Sequence, residues 1–459
     1  MDADVTDSAG TPPEPEDRAG AEQPPPATGA SADAEPDAPK TTETPETTDA
    51  EPDTEPTAAD PEDTGPDAEP IAADPEGAKG GRRWLRWTAL GVSVVVLAAA
   101  GTGWWFYRKL DGNIQTDTTA AHELDKYERD RPASVVHDAQ NLLLIGSDSR
   151  AGNNSSYGRD DGGSQRSDTT ILLHLAADRL SATAVSLPRD LMADIPACGR
   201  PDGTQTKQQF AQFNSAFEMG GAACTIRTVE NMTGIRIDHH MVVDFSGFKD
   251  MVDAVDGVEV CLKEPVDDRQ AHLKLPAGRQ LLRGEQALGF VRSRHGFGDG
   301  SDTQRMDRQQ QFLGSLIKKV QSNGVLLNPT RLFPVLDAAT RSITTDPGLN
   351  TLKDLYDLVR SVRGIPTENI RFLTVPRQPY AYDSDRDELV QPDADGLFKQ
   401  LREDRPIKVA PAADVTKAKE STKPGSGSDG KRPDDPDPSP SPSATPVYSG
   451  TNAASGMCG

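Results

Sequence analysis

The chain has 459 residues, with 72 acidic and 49 basic side chains and a formal net charge of -23. This excess of negative charge argues against a protein that binds nucleic acid through a basic surface, and we expect no nucleic-acid partner. Four cysteines without a CxxC pair or a Cys/His spacing give no pattern for a zinc site.

The negative charge is concentrated at the N-terminus. Residues 1–78 contain 23 Asp and Glu but only two basic side chains, Arg18 and Lys40, so this segment has a net charge of -21. Its repeated Pro, Glu, Asp, Thr and Ala offer too little apolar surface to offset chain entropy. We predict a disordered tail over residues 1–81, acting either as a solvated linker or as a docking segment.

A membrane span follows the tail. No charged residue occurs from Thr88 to Tyr107, and a helix needs about 20 such residues to cross the hydrocarbon core. Aromatic rings flank both ends, and basic residues are more numerous before the span than after it. The positive-inside bias therefore predicts a cytoplasmic N-terminus and an extracytoplasmic C-terminal domain. We assign a single transmembrane helix to 82–109 and a juxtamembrane stalk to 110–135.

The rest of the chain divides into a folded domain, 136–408, and a Pro/Ser-rich C-terminal tail, 409–459, that we predict to be disordered. Apolar runs predict strands at 141–146, 169–176, 182–187, 239–245, 257–262 and 369–376. Helical spacing of apolar residues predicts helices at 224–234, 245–255, 284–292, 307–320 and 351–362. This alternation is typical of an α/β domain, with a central β-sheet flanked by helices.

Two cysteines of the domain border a polar loop. An extracytoplasmic space permits disulfides, so we expect Cys198 and Cys224 to pair, although two unpaired thiols remain an alternative.

The helix near residue 310 directs two polar side chains inward. Arg305 and Gln309 lie at the N-terminal end of the apolar stripe that Phe312, Leu316 and Val320 continue. A buried guanidinium needs an anionic partner. Two interpretations remain open: a structural Arg–Asp pair, or a ligand anion bound at the helix N-terminus.

Three turns beside predicted strands also combine Asp with Arg: "GSDSR" (146–150), "RSDTT" (166–170) and "SLPRD" (186–190). Ligands commonly bind at strand ends in open sheets. Guanidinium groups bind phosphate oxygens in a bidentate manner, and two carboxylates with phosphate oxygens suit Mg²⁺ or Mn²⁺. The combination therefore predicts a site for a diphosphate and a divalent metal.

The sequence contains, in this order, "NLLLIGSDSR", "RSDTTILLHL", "AVSLPRD", "FNSAFEMGG" and "FVRSR" with "DTQRMDRQQ". These five stretches resemble the motifs of the LytR–CpsA–Psr (LCP) family of cell-wall glycopolymer ligases. The resemblance covers about 141–320. It implies an extracytoplasmic domain that binds a polyprenyl diphosphate-linked glycopolymer, with the lipid in an apolar tunnel. Such a domain would transfer the polymer and one phosphate to a peptidoglycan sugar hydroxyl.

The resemblance also implies residue roles. Asp148 and Asp168 match metal-associated carboxylates, which would hold Mg²⁺ or Mn²⁺. The diphosphate-binding set would be Arg166, Arg189, Arg292, Arg294, Arg305 and Gln309. Asp302 matches a carboxylate that orients or deprotonates the acceptor, so the catalytic residues would be Asp302, Arg294 and Arg305. Gln212 stands where the family often has lysine, and we therefore expect no lysine contact to phosphate.

Two other functions remain open at this stage. A polyprenyl diphosphate hydrolase would use the same site with water as the acceptor. A non-catalytic membrane protein would bind cell-wall polymer or act as a transcription attenuator. The sequence does not choose among teichoic acid, arabinogalactan and capsule as the polymer.

Overall fold

The computed structural model describes residues 81–147, 167–200, 202–294, 296–298, 302–321, 329–412, 414–415 and 446–455. Most of the predicted acidic tail lies outside the described residues, and so do Asp148 and Arg166. The described part of the chain is an α/β domain preceded by one long helix, as the sequence predicts.

A nine-stranded mixed sheet forms the centre of the described domain, in the order β1-β12-β7-β2-β3-β4-β13-β17-β16. The pairs β2–β7 and β4–β13 are parallel, and β2–β3 and β3–β4 are antiparallel. The strands are β1 Gln115–Thr116, β2 Gln140–Ser147, β3 Ser167–Leu175, β4 Ala182–Leu187, β7 His239–Val243, β12 Ile343–Thr345, β13 Ile370–Thr374, β16 Lys408–Ala410 and β17 Val447–Asn452.

Four antiparallel pairs of strands lie outside this sheet in the described part of the chain. They pair β5 Met192–Ile195 with β6 Gln209–Gln212, β8 Val258–Leu262 with β11 Gly278–Leu282, β9 Val266–Asp268 with β10 Leu273–Leu275, and β14 Arg377–Tyr380 with β15 Asp383–Leu389.

Helices cover both faces of the central sheet. They are α1 Gly81–Asp111, α2 Thr118–Lys126, α3 Ser215–Thr233, α4 Phe245–Ala254, α5 Gly284–Arg292, α6 Asp302–Gln321, α7 Pro329–Ser342, α8 Leu352–Arg363 and α9 Asp393–Arg402. Alternate residues of a strand point to opposite faces, so β4 contributes to two cores. Val185 packs with α3 and α9, whereas Ala184 faces α6 and α8.

A third apolar core lies outside the sheet and shapes the site described below. It is built from α4, α5, α6 and the β8–β11 pair, with Val260, Phe290 and Phe312 fully buried. This core holds α5 and α6 side by side, so that the C-terminal end of α5 lies near the N-terminal end of α6.

Within the described residues, one helix, Trp84–Asp111, is long and apolar enough to cross a membrane. Its last turns pack against the domain, where the Phe106 and Phe333 rings meet at a centroid distance of 4.6 Å. The side chain of Asp111 accepts a hydrogen bond of 2.9 Å from the first backbone N–H of α8, at Leu352.

Two predicted boundaries differ from the structure. The segment 110–135, predicted as a stalk, contains α2. Ala120 and Leu124 of this helix join the core that α3 and α9 form with Val185 of β4, which we call the main core. The tail predicted as disordered, 409–459, contains β17, which pairs with β13 inside the central sheet. The reason is Tyr448, which buries its ring in the main core and so anchors a strand after a long polar stretch.

Candidate active site

A cavity of about 520 Å³ opens between the central sheet and the helices α4, α5 and α6. Much of its wall is apolar, with contributions from Leu144, Met241, Phe248, Met251, Phe312 and Leu316. Charged side chains gather at another part of the same wall. The cavity therefore offers an apolar chamber together with a charged region, as a ligand with a hydrocarbon part and a charged group requires.

Six side chains of the predicted site line this cavity, and they come from separate stretches of the chain. Asp168 belongs to the start of β3, Arg189 follows β4, and two arginines end and follow α5, while α6 contributes two more side chains. The six are Asp168, Arg189, Arg292, Arg294, Arg305 and Gln309. The structure thus brings together guanidinium groups that are over a hundred residues apart in the sequence.

Arg189 connects two carboxylates at the cavity wall. Its Nη1 donates to Asp168 Oδ1 at 3.0 Å, and its Nε donates to Asp190 Oδ2 at 3.1 Å. Gln212 Nε2 donates to the other oxygen of Asp190 at 2.8 Å. Gln212 therefore fixes the carboxylate of Asp190.

Asp302 lies between two arginines of the site. Arg305 Nη2 donates to Asp302 Oδ2 at 3.2 Å. Arg294 Nη2 lies 3.2 Å from Asp302 Oδ1 without hydrogen-bond geometry, and this buried nitrogen has no hydrogen-bond acceptor among the described residues. Arg305 thus forms the structural pair and also lines the cavity, while Arg294 retains donor capacity for an anion.

The charges of this cluster shift one another's pKa values. Burial lowers the pKa of Arg305 to about 10, and the neighbouring charges of Arg294 and Arg189 act in the same direction. Burial alone would raise the pKa of Asp302, but the positive charges of Arg305 and Arg294 hold it below its ordinary value. The guanidinium groups of Arg189, Arg294 and Arg305 thus lie among three carboxylates, and their positive charges can also attract an anionic ligand.

Two further side chains of the predicted set line the cavity without contacting its carboxylates in the hydrogen bonds described above. Arg292 is exposed, and its guanidinium lies 4.4 Å from the centroid of the Phe245 ring. Gln309 Nε2 donates to the carbonyl oxygen of Val291 at 3.0 Å, so it helps to join α6 to the end of α5. The inward orientation predicted for Arg305 and Gln309 is therefore present.

Sequence reasoning missed a residue that shapes the site. Asp268 is 2% exposed, and its Oδ2 accepts hydrogen bonds from Ser293 Oγ at 2.6 Å and from the backbone N–H of Arg294 at 3.1 Å. It thereby fixes the turn that carries Arg294. No local signal identifies Asp268, because the polar stretch around it resembles a solvent-exposed loop.

Arg308 has a different role from the arginines around it in the sequence. Its guanidinium donates to the carbonyl oxygens of Phe290 and Ser293, and burial lowers its pKa to about 10. Arg308 therefore supports the backbone between α5 and α6 and leaves ligand contact to Arg294 and Arg305.

The residues present fit a divalent metal only together with a ligand. Among the described residues, no group of three or more His, Cys, Asp and Glu side chains could hold a metal ion. Asp168 lines the cavity beside Arg189, whereas Asp148, the other predicted ligand, lies outside the described residues. Hard oxygen ligands from a diphosphate would complete the shell of a Mg²⁺ or Mn²⁺ ion at Asp168.

A disulfide joins Cys198 to Cys224, with their Cα atoms 5.5 Å apart. It attaches the loop after β5 to α3, inside a small core with Ile195 and Ala216. Gly220 fits closely against the bond, since a Cβ there would lie 2.9 Å from the Cβ of Cys224. The predicted pairing is thus present in the structure.

The comparisons with known proteins concern this same part of the chain. The family model described as LytR_cpsA_psr matches residues 111–403. The cell wall biosynthesis protein LcpA of Corynebacterium glutamicum is 32% identical over 310 residues, which cover 62% of this chain and 58% of LcpA. The chain therefore spans little more than half the length of that relative.

Two further proteins are similar. The polyisoprenyl-teichoic acid–peptidoglycan teichoic acid transferase TagU of Halalkalibacterium halodurans is 29% identical over 311 residues, covering 64% of this chain and 94% of TagU. The solved LytR-Csp2A-Psr enzyme from Actinomyces oris has 23% identity and a TM-score of 0.47, covering 59% of this chain and 93% of that chain.

The family match extends from the end of α1 to the end of α9 and includes the described residues of the cavity wall. Since it covers well over half of the 459 residues, the chain belongs to the LytR_cpsA_psr family.

Proposed function

We propose that the protein attaches a cell-wall glycopolymer to peptidoglycan. It would transfer the polymer, together with one phosphate, from a polyprenyl diphosphate carrier to a sugar hydroxyl. The observation that carries the proposal is the meeting of Arg189, Arg294 and Arg305 at the wall of one apolar cavity. The similarity to TagU, which is named as a polyisoprenyl-teichoic acid–peptidoglycan teichoic acid transferase, supports the same chemistry.

The apolar part of the cavity suits the lipid. A polyprenyl chain is a linear series of methyl-branched, apolar isoprene units, and burial of each apolar Å² stabilises a complex by roughly 25 cal/mol. Phe248, Phe312 and Leu316 offer such surface between α4 and α6. A water-soluble polymer without a lipid would gain nothing from this chamber.

The charged part suits the diphosphate. Guanidinium groups are planar and donate two parallel hydrogen bonds to phosphate oxygens. Arg294 Nη2 is buried and lacks a hydrogen-bond acceptor among the described residues, so an anion there would satisfy it. During transfer, negative charge grows on the departing polyprenyl phosphate, and fixed donors at that position stabilise it.

Asp302 would orient the acceptor. The oxygen of the acceptor hydroxyl forms a bond to the phosphorus that carries the polymer, and the bond from that phosphorus to the bridging oxygen breaks. Polyprenyl phosphate leaves with the bridging oxygen and its electron pair, and the hydroxyl proton departs to solvent or phosphate. The low pKa of Asp302 favours hydrogen bonding to the hydroxyl over full removal of its proton.

We include Mg²⁺ or Mn²⁺ in the proposal, with Asp168 as a ligand and Asp148 as the second predicted carboxylate. When bound, such an ion would neutralise part of the charge on the diphosphate. The arginines would still have to align the diphosphate, because a single metal ion leaves most phosphate oxygens without partners.

The test uses full-length protein with a lipid-linked glycopolymer as donor and purified peptidoglycan as acceptor. Arg305→Ala and Asp168→Ala should each lower the transfer rate by about 10²- to 10³-fold, as loss of a transition-state donor does. Arg341→Ala is the matched control, because the Arg341 side chain is 61% exposed in a surface ion pair. Removal of divalent metal by a chelator should lower the wild-type rate as well.

The same assay separates the alternatives. A hydrolase would release polymer phosphate to water at the same rate with and without peptidoglycan. A non-catalytic polymer-binding protein would bind the donor without forming either product. If Arg305→Ala and Asp168→Ala transferred polymer as fast as the wild type, the proposed site would be wrong.

A further inference from the structure

An exposed aromatic cluster lies on two hairpins outside the cavity wall. Phe210 belongs to β6, Tyr380 ends β14, and Tyr382 lies in the turn before β15. The ring centroids of Phe210 and Tyr380 are 6.0 Å apart, and those of Tyr380 and Tyr382 are 5.3 Å apart. We call these three residues the aromatic platform.

Two of the three rings of the platform are largely exposed to solvent. Phe210 is 52% exposed and Tyr382 is 87% exposed, while Tyr380 between them is half-buried. Exposed aromatic rings that lie together commonly mark binding surfaces, because a partner that buries their apolar faces removes them from water and so lowers the free energy. The rings come from positions 170 residues apart, so the fold assembles the platform.

Backbone and side-chain contacts connect the platform to one side of the candidate active site. The backbone N–H of Asp387, on β15, donates to the carbonyl oxygen of Asp190 at 3.0 Å. Arg377, on β14, donates to Thr303 Oγ1 at 2.6 Å, next to Asp302. The hairpin β14–β15 is thus fixed beside the carboxylate that would orient the acceptor.

The platform differs in chemistry from the cavity wall. The arginines of the cavity suit an anion, whereas the residues around the platform are mainly aromatic, amide and carboxylate side chains, with Arg386 of β15 paired to Asp383. Asp194 lies directly across the β5–β6 pair from Phe210, and Gln378 and Glu388 hydrogen-bond each other on the neighbouring hairpin. Aromatic faces beside hydrogen-bonding groups suit pyranose rings, which present apolar C–H faces and polar edges.

We propose that the aromatic platform binds the acceptor, an extended chain of pyranose sugars, and delivers one hydroxyl to Asp302. This inference rests on the proposed transferase function and adds the subsite for its acceptor. The hairpin that carries Tyr380 and Tyr382 contacts Thr303, the neighbour of Asp302, which favours the acceptor over the sugars of the donor, whose diphosphate would lie with the arginines. Phe210 and Tyr382 carry the stacking, and Tyr380 holds the two rings in place.

Two measurements on the full-length chain test the proposal. In the transfer assay, Phe210→Ala and Tyr382→Ala should each raise the acceptor KM about five- to tenfold, which corresponds to the loss of one aromatic contact. The donor KM and kcat should stay within about twofold of the wild type. In a binding titration without donor, soluble uncrosslinked peptidoglycan glycan strands should bind the two variants about five- to tenfold more weakly.

Two further variants control for general effects. Tyr382→Phe keeps the ring and should retain wild-type acceptor KM and strand binding. Tyr356→Ala removes an equally accessible ring, 61% exposed on α8, and should leave both quantities unchanged.

The proposal is overturned if the wild type does not bind glycan strands, or if Phe210→Ala and Tyr382→Ala bind them within about twofold of the wild type. It is also overturned if these variants raise the donor KM instead, or if they change the oligomeric state, which would make the platform a contact between copies. Strand binding requires no transfer, so failure of the transferase proposal alone would leave this readout intact.

Discussion

Asp302 shows at the scale of one residue how burial and neighbouring charge compete. Burial would favour the neutral acid, but Arg305 and Arg294 hold its pKa below the ordinary value. The helical stripe of α6 predicted the inward orientation of Arg305 from sequence. The contact of Arg294 with Asp268 could not be predicted, because it depends on a turn that no local pattern specifies.

The lowered pKa of Asp302 gives a pH prediction. A group whose pKa is lowered stays ionised down to below its ordinary value of 3.8, so Asp302 should not titrate between about pH 5 and about pH 8. Asp302→Asn should therefore lower kcat by about a hundredfold or more at every pH in that range, without changing the shape of the profile. The measurement is the transfer rate against pH for both proteins.

An acidic limb near pH 6 that is present in the wild type and absent in Asp302→Asn would contradict this prediction. Such a limb would mean that Asp302 is protonated in that range and acts as a general base with a raised pKa.

At the scale of single elements, the sequence predicted the apolar strands and the long helices of the centre. Strands β2 and β4 were recognisable because their own residues form continuous apolar runs. Helix α6 was recognisable because its apolar residues recur at helical spacing. Strand β17 was not, because it is short and follows a long Pro/Ser-rich stretch. Its position depends on a hydrogen-bonded partner, β13, more than seventy residues earlier.

A substitution in β17 tests whether this strand contributes to the stability of the domain. Tyr448 is 5% exposed, and its hydroxyl accepts a hydrogen bond from Gln400 Nε2 at 3.1 Å. Tyr448→Ala should lower the free energy of unfolding by about 3 kcal/mol or more, because it leaves a cavity in the main core. Val447→Ala, at a neighbouring position that is 41% exposed, should change it by less than about 0.5 kcal/mol.

Both variants would be compared with the wild type in denaturant unfolding of the detergent-solubilised protein. Equal effects of the two substitutions would show that β17 is not packed into the core.

At the scale of the whole molecule, one apolar helix leads directly into the folded domain. The sequence predicted the span from its length and its aromatic flanks, but not the contacts of its last turns with α7 and α8. Those contacts include the Phe106 ring against Phe333, and just after the helix Asn113 Nδ2 donates to Asp337 Oδ1 at 3.1 Å. They join residues more than two hundred positions apart, so no local pattern could have revealed them.

The topology prediction is that the N-terminal segment is cytoplasmic and the domain extracytoplasmic. On intact cells, a membrane-impermeant maleimide should label Glu368→Cys, an exposed position of the domain. It should label Ser31→Cys only after the membrane is permeabilised. The reverse pattern would invert the topology and would exclude peptidoglycan as the acceptor.

The connection between α1 and the sheet limits where the proposed reaction could occur. Only three residues separate Asp111, the last residue of α1, from Gln115, the first residue of β1, and an extended chain of this length spans at most about 14 Å. With α1 across a bilayer, this edge of the sheet would stay close to the membrane surface. An acceptor for the proposed reaction would therefore have to lie in the part of the wall nearest the membrane.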